Sequence, residues 1–213
     1  MRVSPARPPQ RVVLDGHYAR LEPIALQHAA DLYDAAAGQE QRFTYLAESA
    51  PSNEDAMRDW VSRAASKDDP LTFTVIDKRS EKAAGRQSLM RITPEHGVIE
   101  VGGIYWGPGI ARTRVTTEAL FLHAKYVFDE LGYRRFEWKC NHLNEPSKAA
   151  ARRFGFTFEG VFRQHMIVKG QSRDTAWFAM LDGDWPRIRG EFQRWLDPSN
   201  FDEGGTQRTR LRV

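Results

Sequence analysis

Cysteine is nearly missing from this chain. Cys140 is the only one, which excludes an internal disulfide and makes the reducing cytoplasm the expected location. No apolar run approaches the roughly 18 residues of a membrane span, so no membrane partner is expected. The N-terminus, MRVSPARPPQR, carries basic residues but no apolar segment of the kind a secretory signal needs. His123, His142 and His165 fall at no metal-ligand spacing, and no metal is expected. Internal repeats and low-complexity blocks are absent. A large excess of one charge is absent too: 31 Lys and Arg against 28 Asp and Glu leave a net charge of +3. With no basic helix and no interleaved aromatic pattern, nucleic acid is not the expected partner.

What the sequence does contain is apolar mass. Of 213 residues, 41% are hydrophobic and 28% charged, which suits one soluble domain with a packed core. Residues 1–10, with three prolines and two arginines, are expected to be flexible. Residues 197–213, with Gly204-Gly205 and Arg208, Arg210 and Arg212, are expected to be a flexible basic tail. Between them, 11–24 reads as a strand or a short hairpin turned at Asp15-Gly16. Residues 25–37 and Glu54–Ala65 read as helices. Leu71–Asp77, 85–92 and Val98–Trp106 read as strands able to form an antiparallel meander. A further strand at 133–141 should lie parallel to Val98–Trp106 through a right-handed crossover. A short helix at 144–154, strands at 156–162 and 177–181 joined as a hairpin through the polar stretch HMIVKGQSRD, and a helix at 184–196 complete the chain.

The stretch 98–131 organises the rest. A strand leads through Gly107-Pro108-Gly109 into a helix whose Leu120, Ala124, Val127, Phe128 and Leu131 share one face. A loop feeding a helix start presents unpaired N–H groups and a positive dipole end, which suits a phosphate. Arg112 and Arg114 in that loop strengthen the case for an anion.

Two further pieces sharpen this. One is Gly103-Ile104-Tyr105-Trp106-Gly107-Pro108 with Thr117-Glu118-Ala119-Leu120 nine residues on. The other is Asn144-Glu145-Pro146-Ser147-Lys148-Ala149-Ala150, followed by Phe154-Gly155-Phe156 and Glu159-Gly160, with Asp184-Trp185 near the end. In this order, over about residues 12–196, they resemble the GNAT N-acetyltransferase superfamily, and within it the branch of the ribosomal-protein N-terminal acetyltransferases. The resemblance implies a single α/β (α+β) domain with a mixed, mostly antiparallel central sheet and flanking helices. In it the fourth strand, 98–106, runs parallel to and splays from the fifth, 133–141. It also implies acetyl-CoA as cosubstrate, a primary amine as acceptor (a protein N-terminus or a small molecule) and direct attack in a ternary complex. A homodimer is left open.

The resemblance carries roles onto particular residues. The backbone of Ile104, Tyr105 and Trp106 would pair with the pantetheine arm. The backbone N–H groups of Arg112, Thr113, Arg114, Val115, Thr116 and Thr117 would cradle the phosphates. The family loop carries glycines where this chain has Arg112 and Arg114. That departure leaves three readings: the arginines pair with phosphate, they face solvent, or the site is degenerate. Asn144 is an N-cap that would also bond the pantetheine amide. Ser147 shares a face with Ala150, Ala151 and Phe154; its inward hydroxyl would either bond the departing sulfur or bond backbone or water. Glu100 and Glu137, on otherwise apolar strands, are the candidate bases. Cys140 reads as a buried bystander, since no His–carboxylate arrangement activates it. The alternative reading is a non-catalytic acyl-CoA-binding or sensory domain, prompted by the two arginines.

Overall fold

The computed structural model describes residues 4–213. Eight strands form one sheet: β1 (Leu14–Asp15), β2 (Ala19–Pro23), β3 (Leu71–Asp77), β4 (Lys82–Thr93), β5 (Val98–Trp106), β6 (Arg135–Asn141), β7 (Thr157–Val168) and β8 (Gln171–Leu181). Their order across the sheet is β1-β2-β3-β4-β5-β6-β8-β7. Only β5 and β6 pair in parallel; every other neighbour is antiparallel. The connection between that pair is the helix α3 (Arg114–Lys125), extended by a π-helical turn, Tyr126–Glu130. This is the expected α/β domain with its parallel pair in the middle.

Each sheet face carries its own core, set by the period-2 alternation of the strands. On one face α3 and α5 (Trp185–Leu196) bury Phe73, Leu89, Ile99 and Phe136. The anticipated stripe of α3 is buried there, from Leu120 to Leu131, and the chain leaves it through Gly132 at φ 76°. On the other face α1 (Ala29–Ala36) and α2 (Glu54–Ala65) pack on Ile76, Ala83 and Tyr105. Asn53 caps α2, accepting from the Ala56 N–H at 2.8 Å. α1 is shorter than the expected 25–37, because Leu26–His28 forms a 3₁₀ turn first.

Three expectations need correction. The strands read as 156–162 and 177–181 continue to a two-residue turn at Lys169-Gly170, both left-handed (φ 50° and 74°). Their outer halves are mostly exposed, so no burial pattern marks them in the sequence. The Lys169 ammonium at the tip donates to the Phe43 carbonyl at 2.8 Å, bridging across to the segment before α2. Residues 197–213 do not hang free: Phe201 is buried, it pairs with Gln207, and the Trp195 indole donates to Gln207 Oε1 at 2.8 Å. Asn200 ties this return to Trp195 and Thr209. At the other end, the Ala6 and Arg7 N–H groups donate to Pro94 and Leu131 carbonyls. Proline fixes that arm in an extended form without needing its own donors. Residues 1–3 of the expected flexible N-terminus lie outside the described residues.

Candidate active site

The site begins where β5 and β6 stop pairing. Their register runs from Val98↔Arg135 to Val101↔Trp138 and no further. A bulge in β5 drives the separation. Ser88 of β4 pairs with Gly102, but Arg86 pairs with Tyr105, so β5 carries one extra residue. Gly103 absorbs it at φ 57°, a conformation open to glycine at little cost. The Arg86 guanidinium donates to the Gly103 carbonyl at 2.7 Å and locks the bulge. Residues 102–106, including the expected Ile104, Tyr105 and Trp106, therefore offer a strand edge with no ladder partner on the β6 side. A cleft of about 1370 Å³ opens along it. The Tyr105 side chain is not part of that edge: its hydroxyl donates to the Ala35 carbonyl at 2.7 Å and its ring stacks on Phe43.

At one end of the cleft is the start of α3. Of the six amides expected to cradle phosphate, three are already bonded. Thr113 N–H donates to the Ile110 carbonyl, Val115 N–H to Thr113 Oγ1 at 3.2 Å, and Thr117 N–H to the Thr113 carbonyl. The N–H groups of Arg112, Arg114 and Thr116 have no protein acceptor among the described residues, which is the pattern an anion site requires. Arg112 stands at φ 65°, the left-handed conformation of the glycine it replaces, so the loop keeps its path without the glycine. Its side chain is exposed. Arg114 is held inward, its guanidinium 4.3 Å from the Tyr18 ring centroid and 5.1 Å from that of Phe201. A third arginine, Arg153, donates to Thr117 Oγ1 at 3.1 Å. A left-handed L-residue costs about 1–2 kcal/mol, partly offset by the extra freedom glycine gives the unfolded chain. Arg112→Gly should therefore stabilise the protein by up to about 1 kcal/mol, whereas Arg112→Val should destabilise it. Urea denaturation of both variants checks this, and a less stable Arg112→Gly would contradict it.

Ser147 lies at the other side of the split, one turn into α4 (Glu145–Arg153). Asn144 Oδ1 accepts the Ser147 N–H at 3.1 Å, so the N-cap role of Asn144 occupies its oxygen. Its amide N–H groups and the second lone pair of Oδ1 remain for a second role. Ser147 Oγ accepts from the Trp138 indole N–H at 3.0 Å. One lone pair is thereby used, and the single hydroxyl proton can turn either to the nearby Cys140 thiol or into the cleft. Cys140 is close by; burial pushes its thiol up, against an opposing hydrogen bond from Ser147. Its burial agrees with the sequence reading, and raising a thiol in this way lowers its nucleophilic fraction.

The two candidate bases differ. Glu100 and Glu137 are directly opposite in the parallel register, and the Lys139 ammonium bridges them at 3.1 and 2.8 Å. Glu100 also faces Arg91 at 3.0 Å and lines the cleft. Burial pushes its carboxyl above the usual carboxylate range, against the pull of Lys139 and Arg91. Glu137 does not reach the cleft. Its oxygens are taken by Lys139 and by Arg135 at 2.7 Å, and Arg135 in turn holds Glu159. Glu137, expected as a base beside Glu100, thus has the contacts of a buried counter-ion.

Several cleft residues were not singled out from the sequence. Arg86, buried over the Trp60 ring at 4.0 Å, forms a close ion pair with Glu48. Gln87, on the opposite face of β4, accepts from the Trp106 indole at 3.2 Å and donates to the Ala119 carbonyl and to His123 Nδ1. Burial lowers the His123 imidazole to about 3, so it is neutral, with its proton on Nε2. His165 and Arg173 reach the cleft from β7 and β8. The one available signal was a run of polar residues, Arg86-Gln87-Ser88, inside an apolar strand.

A sheet opened between two parallel strands, with a free helix start beneath the opening, defines an acyltransferase of the GNAT class. Residues 19–157 match the family model of the acetyltransferase (GNAT) domain, and the chain belongs to that family. A GCN5-related N-acetyltransferase from Brucella melitensis is 53% identical, covers 98% of this chain and 96% of its own, and superposes with a TM-score of 0.96. The uncharacterized N-acetyltransferase p20 of Bacillus licheniformis is 28% identical over 117 residues, 53% of this chain and 63% of that protein, so less than two thirds of its length is matched. RimL, the ribosomal L7/L12 alpha-N-protein acetyltransferase, shares the fold (TM-score 0.70, 19% identity, 80% of this chain and 94% of its own). Among the described residues no group of His, Cys, Asp and Glu could hold a metal ion, and no helix is long and apolar enough to cross a membrane.

Proposed function

We propose that this protein transfers the acetyl group of acetyl-CoA to the nitrogen of a primary amine in a ternary complex. The observation that carries the reading is the unpaired edge of residues 102–106 running from Ser147 at the split toward the open N–H groups of α3. The residues fit the cosubstrate chemically. An extended amide-bearing arm matches a free strand edge, and a pyrophosphate matches the Arg112, Arg114 and Thr116 N–H groups flanked by Arg114 and Arg153.

Acetyl-CoA supplies a thioester: the amine nitrogen forms the new C–N bond, the C–S bond breaks, and the sulfur leaves with the electron pair. The chain's part is to hold and to move protons. Ser147, its Oγ fixed by the Trp138 indole, donates a hydrogen bond to the departing sulfur, which takes up the proton that the nitrogen sheds after attack. Glu100, its carboxyl raised by burial, takes a proton from the ammonium through water. The edge of β5 aligns the reactants, which is the larger share of the rate gain in such a site.

Saturating coenzyme A should raise the melting temperature. The stabilisation is roughly 2.7 kcal/mol at a hundred times the dissociation constant. Thiol release from acetyl-CoA should appear only when an amine is added. An unmoved melting temperature would sink the proposal. A shift without amine-dependent release would favour the non-catalytic acyl-CoA-binding reading.

A further inference from the structure

The walls of the cleft carry information about the acceptor. Ten arginines and lysines line it against two carboxylates, Glu48 and Glu100. Three of the cations, Arg112, Arg114 and Arg153, surround the start of α3 and belong to the phosphate end. Arg86 is neutralised by Glu48, and Arg91 and Lys139 share Glu100. Arg42, Arg63 and Lys67 are exposed at the rim.

Arg173 fits none of these groups. It lies on β8, two residues beyond Thr175, which pairs with Asn141 at the end of β6. It is half-buried and reaches the cleft beside Cys140 and Glu100, with no carboxylate at ion-pair distance among the described residues. Its Nε is fully enclosed and makes no hydrogen bond. Burial first, and then the charge of Arg91, pull its basicity down against the opposing pull of Cys140 and Glu100. A guanidinium desolvated and left unpaired is costly, and the cost is removed when an anion docks on its fork. The neighbouring surface is built for a small polar ligand. Thr175 and His165 are hydrogen-bonded to each other at 3.0 Å, and the Lys139 ammonium is fixed 3.8 Å from the Trp177 ring centroid.

We infer that the acceptor is a small primary amine that also carries a carboxylate, as a free amino acid does, and that Arg173 binds that carboxylate. The inference rests on the acetyltransferase reading and narrows it. The excess of fixed positive charge works against a polyamine, whose added charges would meet Arg91, Lys139 and Arg173 together.

The test is a panel of free L-amino acids, the same amino acids as carboxamides, and spermidine, each with acetyl-CoA and thiol release as readout. Coenzyme A binding is followed by thermal shift in parallel. The best amino acid should exceed its own carboxamide and spermidine in kcat/KM by about 10- to 100-fold, the scale of one charge-assisted pair. In Arg173→Gln that ratio should fall toward one, through KM rather than kcat, with the coenzyme A shift retained. Arg173→Lys should recover part of it. Equal turnover of acids and carboxamides, a preference for spermidine, no turnover of any amino acid, or an unchanged ratio in Arg173→Gln would overturn the inference while a coenzyme A shift leaves the acetyltransferase reading standing. Loss of the coenzyme A shift in the parent protein would overturn both.

Discussion

Ser147→Ala should lower kcat about 10- to 100-fold, equivalent to roughly 1.4–2.7 kcal/mol in the barrier. Affinity for acetyl-CoA should change little, because the hydroxyl matters most as charge builds on the departing sulfur. The same substitution has a structural cost. The Trp138 indole N–H donates to Ser147 Oγ at 3.0 Å, and Trp138 is buried. Removing the acceptor leaves that donor unsatisfied, at about 1–3 kcal/mol of stability. Two effects of one mutation can be separated by adding Trp138→Phe. The double variant has no orphaned donor, so its stability should sit above the sum of the two single losses. Its kcat should stay low, because the hydrogen-bond donor to sulfur is still gone. Steady-state kinetics beside urea denaturation of the three variants gives both numbers. A full kcat in Ser147→Ala would leave a mechanism resting on backbone alignment alone.

The largest loss of stability is expected from Glu118, in the second turn of α3. Its carboxylate is buried and accepts three backbone N–H groups, from His17 at 2.9 Å, Tyr18 at 2.5 Å and Ala19 at 2.7 Å. These amides form the corner between β1 and β2, so one side chain ties the first hairpin to the central helix. The fit is close: a Cβ on Gly16 would lie 2.5 Å from the carboxylate carbon. Glu118→Ala should cost about 3–5 kcal/mol, since three buried donors lose a charged acceptor and bonds of this kind are worth about 1.5–3 kcal/mol each without being additive. Glu118→Gln keeps one acceptor oxygen but turns an N–H toward the same donors, and should fall between alanine and the parent. Equilibrium urea unfolding measures the difference. A loss below about 1 kcal/mol in Glu118→Ala would show that water or a relaxed loop replaces the carboxylate.

The bounds of Glu54–Ala65, Leu71–Asp77 and Val98–Trp106 were legible in the sequence, because each has a clear period and a marked end. Asn53 starts the first, the cluster before Leu71 and the charged turn after Asp77 bracket the second, and Gly97 and Gly107 flank the third. The strand–glycine–helix order leading into α3 was legible too, and so was the place of Ser147 one turn into α4. The hairpin of β7 and β8 was legible as a polar connection between two strands, but with both strands read too short, and the return of residues 197–213 was not legible. Their stabilising contacts, the Lys169 ammonium to the Phe43 carbonyl and the Trp195 indole to Gln207, are single hydrogen bonds that leave no local pattern.

The sequence by itself determined the order of the elements and the buried faces of the periodic ones, since hydrophobic period and capping are local properties. It also determined the strand–loop–helix order over 98–125 and the place of Ser147 in the first turn of α4. Only the tertiary structure decided which charges are spent and which remain. Glu100 and Glu137 look alike as strand residues, yet the parallel register sets them side by side, Lys139 bridges both, and Glu100 alone faces the cleft. Arg112 and Arg114 look alike as replaced glycines, yet one takes up the left-handed turn while the other is held over Tyr18 and Phe201. Arg86 and Arg173 look alike as strand arginines, yet Glu48 from a distant loop reaches only the first. The physical reason is common to all three pairs. A charge is neutralised by whatever the folded chain brings within a few ångströms, and strand register, a one-residue bulge and loop return set that distance, not position along the sequence.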